Sequence, residues 1–134
     1  MKIVFSLFFI VPFIFVQPKN VPQNFDRTTF YAAMASGKSE DINAQLDIIN
    51  KSSFAEKDAF EGTLLMNKAG LITGAGNKLS VFKAGRKKLE AEIKKDSSNA
   101  EFRFLRLMIQ EHAPGILGYK NELQNDKEYI RKNS

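Results

Sequence analysis

Residues Gly70 to Gly76 read GLITGAG and contain three glycines within seven positions. Glycine permits the backbone conformations that end a helix, so three glycines this close together predict a loop. The lysine of a phosphate-binding P-loop is missing and no strand precedes the segment, which excludes a nucleotide loop. Helical spacing on both sides instead predicts two helices that this turn makes antiparallel.

The chain before this loop has the spacing of three helices. Asp26 is a good N-cap for the first helix, which Gly37 ends. A second helix follows over residues 40–51. Ser53 begins the third, with Glu56 completing a capping box. No stretch shows the sustained alternation of a β-strand.

The chain after the loop continues the same pattern. A fourth helix is predicted over residues 77–96, and Ser98 with Glu101 forms a second capping box ahead of a fifth helix. Pro114 ends that helix, and a last one is expected over residues 120–132. The sequence therefore predicts an all-α fold in which residues 21–134 form one domain of five or six short antiparallel helices. Because the fifth helix is apolar on several faces, we expect it to lie at the centre of the bundle.

Residues 1–20 differ in character from the rest of the chain. Met1 and Lys2 precede an apolar run from Ile3 to Val16, which is the order of charge and hydrophobicity found in secretory signals. The residues that follow offer no small-x-small cleavage site, so the segment is either a signal peptide cut at an atypical site or a retained N-terminal anchor. In both cases we expect an exported protein of the periplasm or cell envelope.

The composition restricts the chemistry of the protein. Its 134 residues include no cysteine, which excludes disulfides, thiolate nucleophiles and cysteine metal sites. The net charge of +5 is mild, and the basic run from Lys83 to Lys95 is interrupted by Glu90 and Glu92 and holds no aromatic residue to stack on bases. We therefore expect no nucleic-acid partner. The run is either a solvated helix face or a weak, transient contact with an anionic membrane surface.

His112 is the only histidine in the chain and lies near the end of the fifth helix. It continues the apolar face formed by Phe102, Leu105 and Ile109, and in the last turn its ring can meet free carbonyls. Glu111 lies about 100° away around the helix, so the two side chains cannot face each other. No HExxH or GxSxG motif supplies another partner. We interpret His112 as part of a helix terminus, and the sequence predicts no catalytic residue, metal site or cofactor.

Three arginines and a tyrosine are the candidate binding residues. Arg103 and Arg106 form a polar stripe on the apolar fifth helix, Arg86 interrupts the apolar seam of the fourth, and Tyr119 follows the fifth. An unpaired buried guanidinium is costly, so the arginines either form an internal ion-pair network or line a groove for a carboxylate or phosphate ligand. The carboxylates expected as internal partners are Glu56, Glu61, Glu90 and Glu92.

Three stretches resemble a family of small exported bacterial proteins of unknown function: FYAAMASG (30–37), KAGLITGAGNKLSVFKAGRKKLEAEI (68–93) and NAEFRFLRLMIQEHAPGILGYKNELQNDKEYI (99–130). The fourth helix and the SSNAE turn at 97–101 also look like tetratricopeptide helical hairpins, although no 34-residue period runs through the chain. These resemblances imply an envelope location and paired helices. They imply no activity.

Together these features favour a non-catalytic module of the cell envelope that binds a protein or peptide partner, because helical hairpins present concave faces. The candidate contact residues are Arg86, Arg103, Arg106 and Tyr119. The alternative is a carrier of a small ligand or lipid, with the apolar fifth helix lining a cavity. An enzyme is not expected.

Overall fold

The computed structural model describes residues 24–134, which form six α-helices, one 3₁₀ turn and no strand. The predicted all-α fold is confirmed, whereas the signal or anchor predicted over residues 1–20 lies outside the described residues. The helices are α1 (Arg27–Ser36), α2 (Ser39–Lys51), α3 (Lys57–Ala69), α4 (Ala75–Lys95), α5 (Ala100–His112) and α6 (Leu123–Asn133), and the 3₁₀ turn is Gly115–Leu117. None of these helices is both long and apolar enough to span a bilayer.

In two helices, α1 and α5, the side chain of the residue immediately before the first turn caps a free amide. Asp26 caps α1 as predicted, its carboxylate accepting a hydrogen bond from Thr29 N at 2.9 Å. The cap of α5 is Asn99, whose Oδ1 accepts from Phe102 N at 3.0 Å. The capping box predicted at Ser98 and Glu101 is therefore wrong: the cap lies one residue later, because only the side chain immediately before the first turn reaches its amides, and Glu101 accepts hydrogen bonds from Arg27 instead.

Two other predicted helix starts are also displaced. α3 begins at Lys57, beyond the predicted cap Ser53, and no side-chain hydrogen bond caps it. α4 begins at Ala75, inside the predicted glycine loop. Gly74 has a φ of 87°, a conformation that glycine adopts at little cost. The chain therefore turns at Gly74, and Gly76 already lies in the first turn of α4.

The central helix is α3. It packs against α2, α4 and α5, and its consecutive residues Gly62, Thr63 and Leu64 are all buried, which together cover more than half of its circumference. The prediction that α5 is central is wrong, since Phe104 on α5 remains 39% exposed. The outer face of α5 is apolar, but residues 24–134 do not cover it.

α3 and α4 approach most closely where two glycines face each other. A Cβ atom at Gly62 would lie 2.5 Å from the Gly85 carbonyl oxygen, and one at Gly85 would lie 2.9 Å from Leu65 Cβ. Only glycine therefore fits at either position. The close approach lets Leu64 of α3 and Leu89 of α4 bury themselves completely in the same core, as dense packing requires.

Candidate functional site

Arg106, one of the predicted binding residues, is held inside the bundle. It is 6% exposed, and its Nε and Nη2 donate to the two carboxylate oxygens of Asp126 at 2.7 and 2.8 Å. Its Nη1 lies 3.1 Å from Glu90 Oε2, and Gln110 Nε2 adds a hydrogen bond to Asp126 at 2.9 Å. Burial alone would lower the pKa of Arg106, but the hydrogen bond to Asp126 and the two carboxylate charges raise it instead. Arg106 is therefore a permanently charged, internally paired group.

Of the four carboxylates predicted to pair with the arginines, only Glu90 contacts Arg106. Glu61 lies 3.4 Å from Lys88 and Glu92 lies 3.0 Å from Lys95, while Glu56 is near Arg27 at 3.9 Å. Asp126, the main partner, was missed. It belongs to the polar helix α6, and nothing in its local sequence indicates that α6 turns this residue inward.

Arg103 contacts both the turn between α4 and α5 and helix α6. Its Nε donates to the Ser97 carbonyl at 2.8 Å, its Nη1 lies 3.4 Å from Asp126, and its guanidinium stands 4.2 Å above the Tyr129 ring. The Tyr129 hydroxyl in turn donates to the Ser98 carbonyl at 2.6 Å. These contacts occupy Nε and one N–H of Nη1 and hold the guanidinium against α6, so Arg103 has a structural role within the bundle.

Tyr119 and Arg86 complete the predicted set. Tyr119 is 4% exposed, and its hydroxyl donates to Glu90 at 2.8 Å; burial, followed by the charge of Glu90, raises its pKa. Arg86 is exposed and stands 4.9 Å above the Tyr119 ring. The structure thus connects all four predicted residues through Asp126 and Glu90, but Arg106 and Tyr119 are buried and paired internally. Only Arg86 is well placed to meet a partner.

The neighbouring cleft does not form a groove for an anion. Its volume is about 230 Å³, and it is lined by Glu90 and Glu122 as well as Arg86 and Arg106. The two carboxylates would repel a phosphate or carboxylate ligand. Of the two interpretations of the arginine stripe, the structure contains the internal ion-pair network.

A larger apolar groove lies between α1, α3, α4 and α5. It has a volume of about 400 Å³ and we call it the methionine groove, defined by Met34, Met66, Phe82, Met108, His112 and Leu117. Met34 comes from the last turn of α1, Met66 from the last turn of α3, and His112 is the last residue of α5. The groove therefore sits where three alternate helices of the bundle end.

His112 lies at the edge of this groove. It is exposed, and its Nδ1 is 3.0 Å from the carbonyl oxygen of Met108, one turn earlier. Because a carbonyl oxygen only accepts, this hydrogen bond places the proton on Nδ1 and leaves Nε2 with a free lone pair. Glu111 pairs with Lys127 at 3.3 Å. The pair Glu111–His112 is thus not an acid–base dyad, in agreement with its interpretation as a helix terminus.

Large hydrophobic side chains surround the methionine groove. Among residues 24–134, those more than a third exposed are Leu71, Leu79, Phe104 and Ile116. Leu71 directly follows Gly70, which lines the groove. Leu79 lies one turn before the lining residue Phe82 on α4 and so shares its face.

The other two exposed hydrophobic residues also adjoin it. The Phe104 ring packs 5.9 Å from the ring of Tyr31, which lines the groove. Ile116, the most exposed of the four at 95%, lies in the 3₁₀ turn beside the lining residue Leu117. Each of the four is thus next to a lining residue in the chain, one turn from one, or in contact with one, and exposed apolar surface beside a cleft commonly marks an interaction site.

The sequence predicted an apolar cavity lined by the fifth helix only as the alternative, and it did not place Met34 or Met66 beside that helix, because helical spacing describes each helix by itself. A signal was nevertheless present, since Met34, Met66 and Met108 lie three, four and six residues before the residues predicted to end their helices. In an antiparallel arrangement, alternate helices end on the same side. Those three spacings would then have placed the methionines together.

No protein-family model, curated protein sequence or solved structure matches this chain.

Proposed function

We propose that this protein is a non-catalytic binding module of the cell envelope, whose methionine groove receives the apolar side of an amphipathic helix. The observation that supports this most is that the exposed hydrophobic residues Leu71, Leu79, Phe104 and Ile116 each lie within one turn of a lining residue or in contact with one. An exposed apolar region around a cleft is what a helix-in-groove interaction requires. The envelope location rests on the signal-like residues Ile3 to Val16.

The groove has the size and lining for such a partner. Clefts that bind ligands measure roughly 300–1,000 Å³, and this one measures about 400 Å³. Met34 and Met108 are half-buried in its wall. Methionine is flexible and polarisable, so it adapts to side chains of different shape. Two or three apolar anchors spaced one helical turn apart would fill the groove.

The charges beside the groove select an acidic partner. Lys78 and Arg86 lie one turn before and one turn after Phe82 on α4, and both are exposed. Neither they nor Lys83 forms an ion pair with any described residue, while no carboxylate lines the groove. An amphipathic helix with Asp or Glu beside its apolar anchors would therefore gain both affinity and association rate. Arg86 keeps its predicted role as a contact residue here.

The test uses a defined probe, a fluorescent synthetic helix of roughly 15 residues with leucines at i, i+3, i+4 and i+7 and glutamates between them. Binding is followed by fluorescence anisotropy with metal-free protein. Ala35 lines the groove on α1 and is exposed, so Ala35→Arg should weaken binding at least about tenfold by placing an unpaired charge against apolar surface. Ala32, also exposed on α1 but not in the groove, supplies the matched control Ala32→Arg, which should bind as wild type does.

The remaining outcomes decide against the proposal. Equal binding by the two arginine variants would place the helix elsewhere, and equal binding of a lysine-substituted peptide would remove the charge argument. If the peptide does not bind and a fatty acid does, the result would favour a carrier of a small apolar ligand. The groove, with a volume of about 400 Å³, also has room for such a ligand. Dimerisation that Ala35→Arg abolishes would identify a second copy as the occupant.

A further inference from the structure

The methionine groove gathers every soft metal ligand that the described chain contains. The sequence has four methionines, one histidine and no cysteine. Apart from Met1, all of the methionines line this one groove, and so does His112. Thioether sulfur and imidazole nitrogen are ligands that Cu(I) accepts and that hard cations do not select. We propose that the groove binds one Cu(I) ion through the thioethers of Met34, Met66 and Met108 and Nε2 of His112.

The orientation of His112 suits a metal ligand. Its Nδ1–H donates to the Met108 carbonyl at 3.0 Å, which fixes the tautomer with the Nε2 lone pair free. A histidine that binds a metal through one ring nitrogen characteristically donates the N–H of the other ring nitrogen to a carbonyl or carboxylate oxygen. Met108 and His112 are also four residues apart on α5, so they lie on the same face of the helix, and both line the groove.

The helix ends that meet at the groove favour a cation within it, whereas the exposed Lys78 and Arg86 flank it on α4 and are absent from its lining. α1, α3 and α5 all end beside it, and the C-terminal end of each helix carries a partial negative charge. None of the lining side chains is a permanently charged cation. A single positive charge bound there would therefore be stabilised by three helix ends, a contribution that a neutral apolar occupant would not receive.

The ligand set discriminates among metals. No carboxylate lines the groove, and no group of three or more His, Asp or Glu residues able to hold a metal is found in residues 24–134. Calcium, magnesium and zinc would thus lack their preferred oxygen, nitrogen or thiolate ligands. Three thioethers and one imidazole complete a four-coordinate site for Cu(I) alone among common ions. The binding involves no change of oxidation state, and it does not depend on the helical partner proposed above.

The test titrates metal-free protein with Cu(I) under argon, with ascorbate as reductant and bicinchoninate as competing chelator. Wild type should bind one equivalent. Met108→Leu and His112→Gln should each weaken binding at least about tenfold, since even second-shell changes cost about 10–100-fold in affinity. Ile109→Leu is the matched control, because it alters a groove residue on the same helix without removing a ligand, and its affinity should match wild type.

Folding does not limit this experiment. His112 is exposed and Met108 is only half-buried, and exchange of methionine for leucine in a core is usually tolerated. X-ray absorption of the loaded protein should show sulfur together with a single nitrogen in the first coordination shell. The proposal is wrong if wild type binds no more Cu(I) than the two variants, if Ile109→Leu loses binding equally, or if Zn(II) binds with the same affinity.

Discussion

Asp126 is expected to hold the C-terminal helix onto the bundle, and its replacement by alanine tests this directly. Of the residues of α6, all of which the structure describes, only Asp126 is buried. Its two oxygens accept hydrogen bonds from Arg106 at 2.7 and 2.8 Å and from Gln110 at 2.9 Å. Asp126→Ala therefore removes the one buried anchor of α6 and leaves Arg106 without its main partner.

The size of the effect follows from the burial of the pair. Removing one member of a buried ion pair costs about 3–5 kcal/mol, because the remaining charge stays desolvated. Arg106 would keep Glu90 at 3.1 Å, and the Glu90 side chain is 36% exposed. This remaining partner places the loss of unfolding free energy near the lower end, at about 3 kcal/mol. The double variant Asp126→Leu/Arg106→Met should recover most of it, since an apolar pair of similar volume leaves no charge buried.

Urea denaturation followed by circular dichroism at the helical band measures these free energies, and hydrogen exchange of the α6 amides shows whether the loss is local. Asp126→Ala should lower the protection of α6 more than that of α3. Two results would refute the reasoning. One is a loss below about 1 kcal/mol, the value typical of exposed pairs. The other is a double variant no more stable than Asp126→Ala.

Three further changes test other parts of the structure by the same denaturation assay. Gly85→Ala should lower the free energy of unfolding by about 1–3 kcal/mol, because its methyl group would overpack the α3–α4 contact. Gly76→Ala has open space around it in α4 and should raise that free energy by up to about 1 kcal/mol. Equal effects of the two variants would contradict the close approach of α3 and α4. Tyr119→Phe should cost about 1 kcal/mol near neutral pH by removing the hydrogen bond to Glu90. Burial and Glu90 raise the pKa of Tyr119 in the folded protein. The stabilising effect of its hydroxyl is therefore complete below the pKa of about 10 in the unfolded chain and is lost as pH rises above that value. The difference in unfolding free energy between Tyr119→Phe and wild type should shrink in alkali, and a difference independent of pH would contradict this reasoning. Asn99→Ala should cost about 1 kcal/mol of stability because it removes the N-cap of α5. The control Ser98→Ala should change stability by less than about 0.5 kcal/mol.

The helices could be predicted from the sequence because their signals are local. Asp26 caps α1 through an amide three residues away, and the apolar spacing of each helix is visible within two or three turns. The errors were of the same local scale. Asn99 replaces Ser98 as a cap, and Gly74 shortens the loop before α4 because its positive φ lets the chain turn early.

The role of the candidate arginines depends on Asp126, which lies twenty positions after Arg106 in the chain. Arg103 and Arg106 were singled out because charged groups on an apolar helix need partners. Which partner they meet depends on how α6 docks, and α6 has only Asp126 to bury. No periodic pattern in so polar a segment indicates that contact.

The sequence alone determined the all-α class, the approximate position of each helix and the supply of ligands, with three internal methionines, one histidine and no cysteine. Only the tertiary structure decided that α1, α3 and α5 end beside one another, so that Met34, Met66 and Met108 share a groove. The reason is physical. Helix caps and periodicity act over a few residues of backbone, whereas the hydrophobic effect that packs the helices is non-directional and acts on the whole buried surface. Which residues meet across the bundle is therefore settled by the packing of all the helices together.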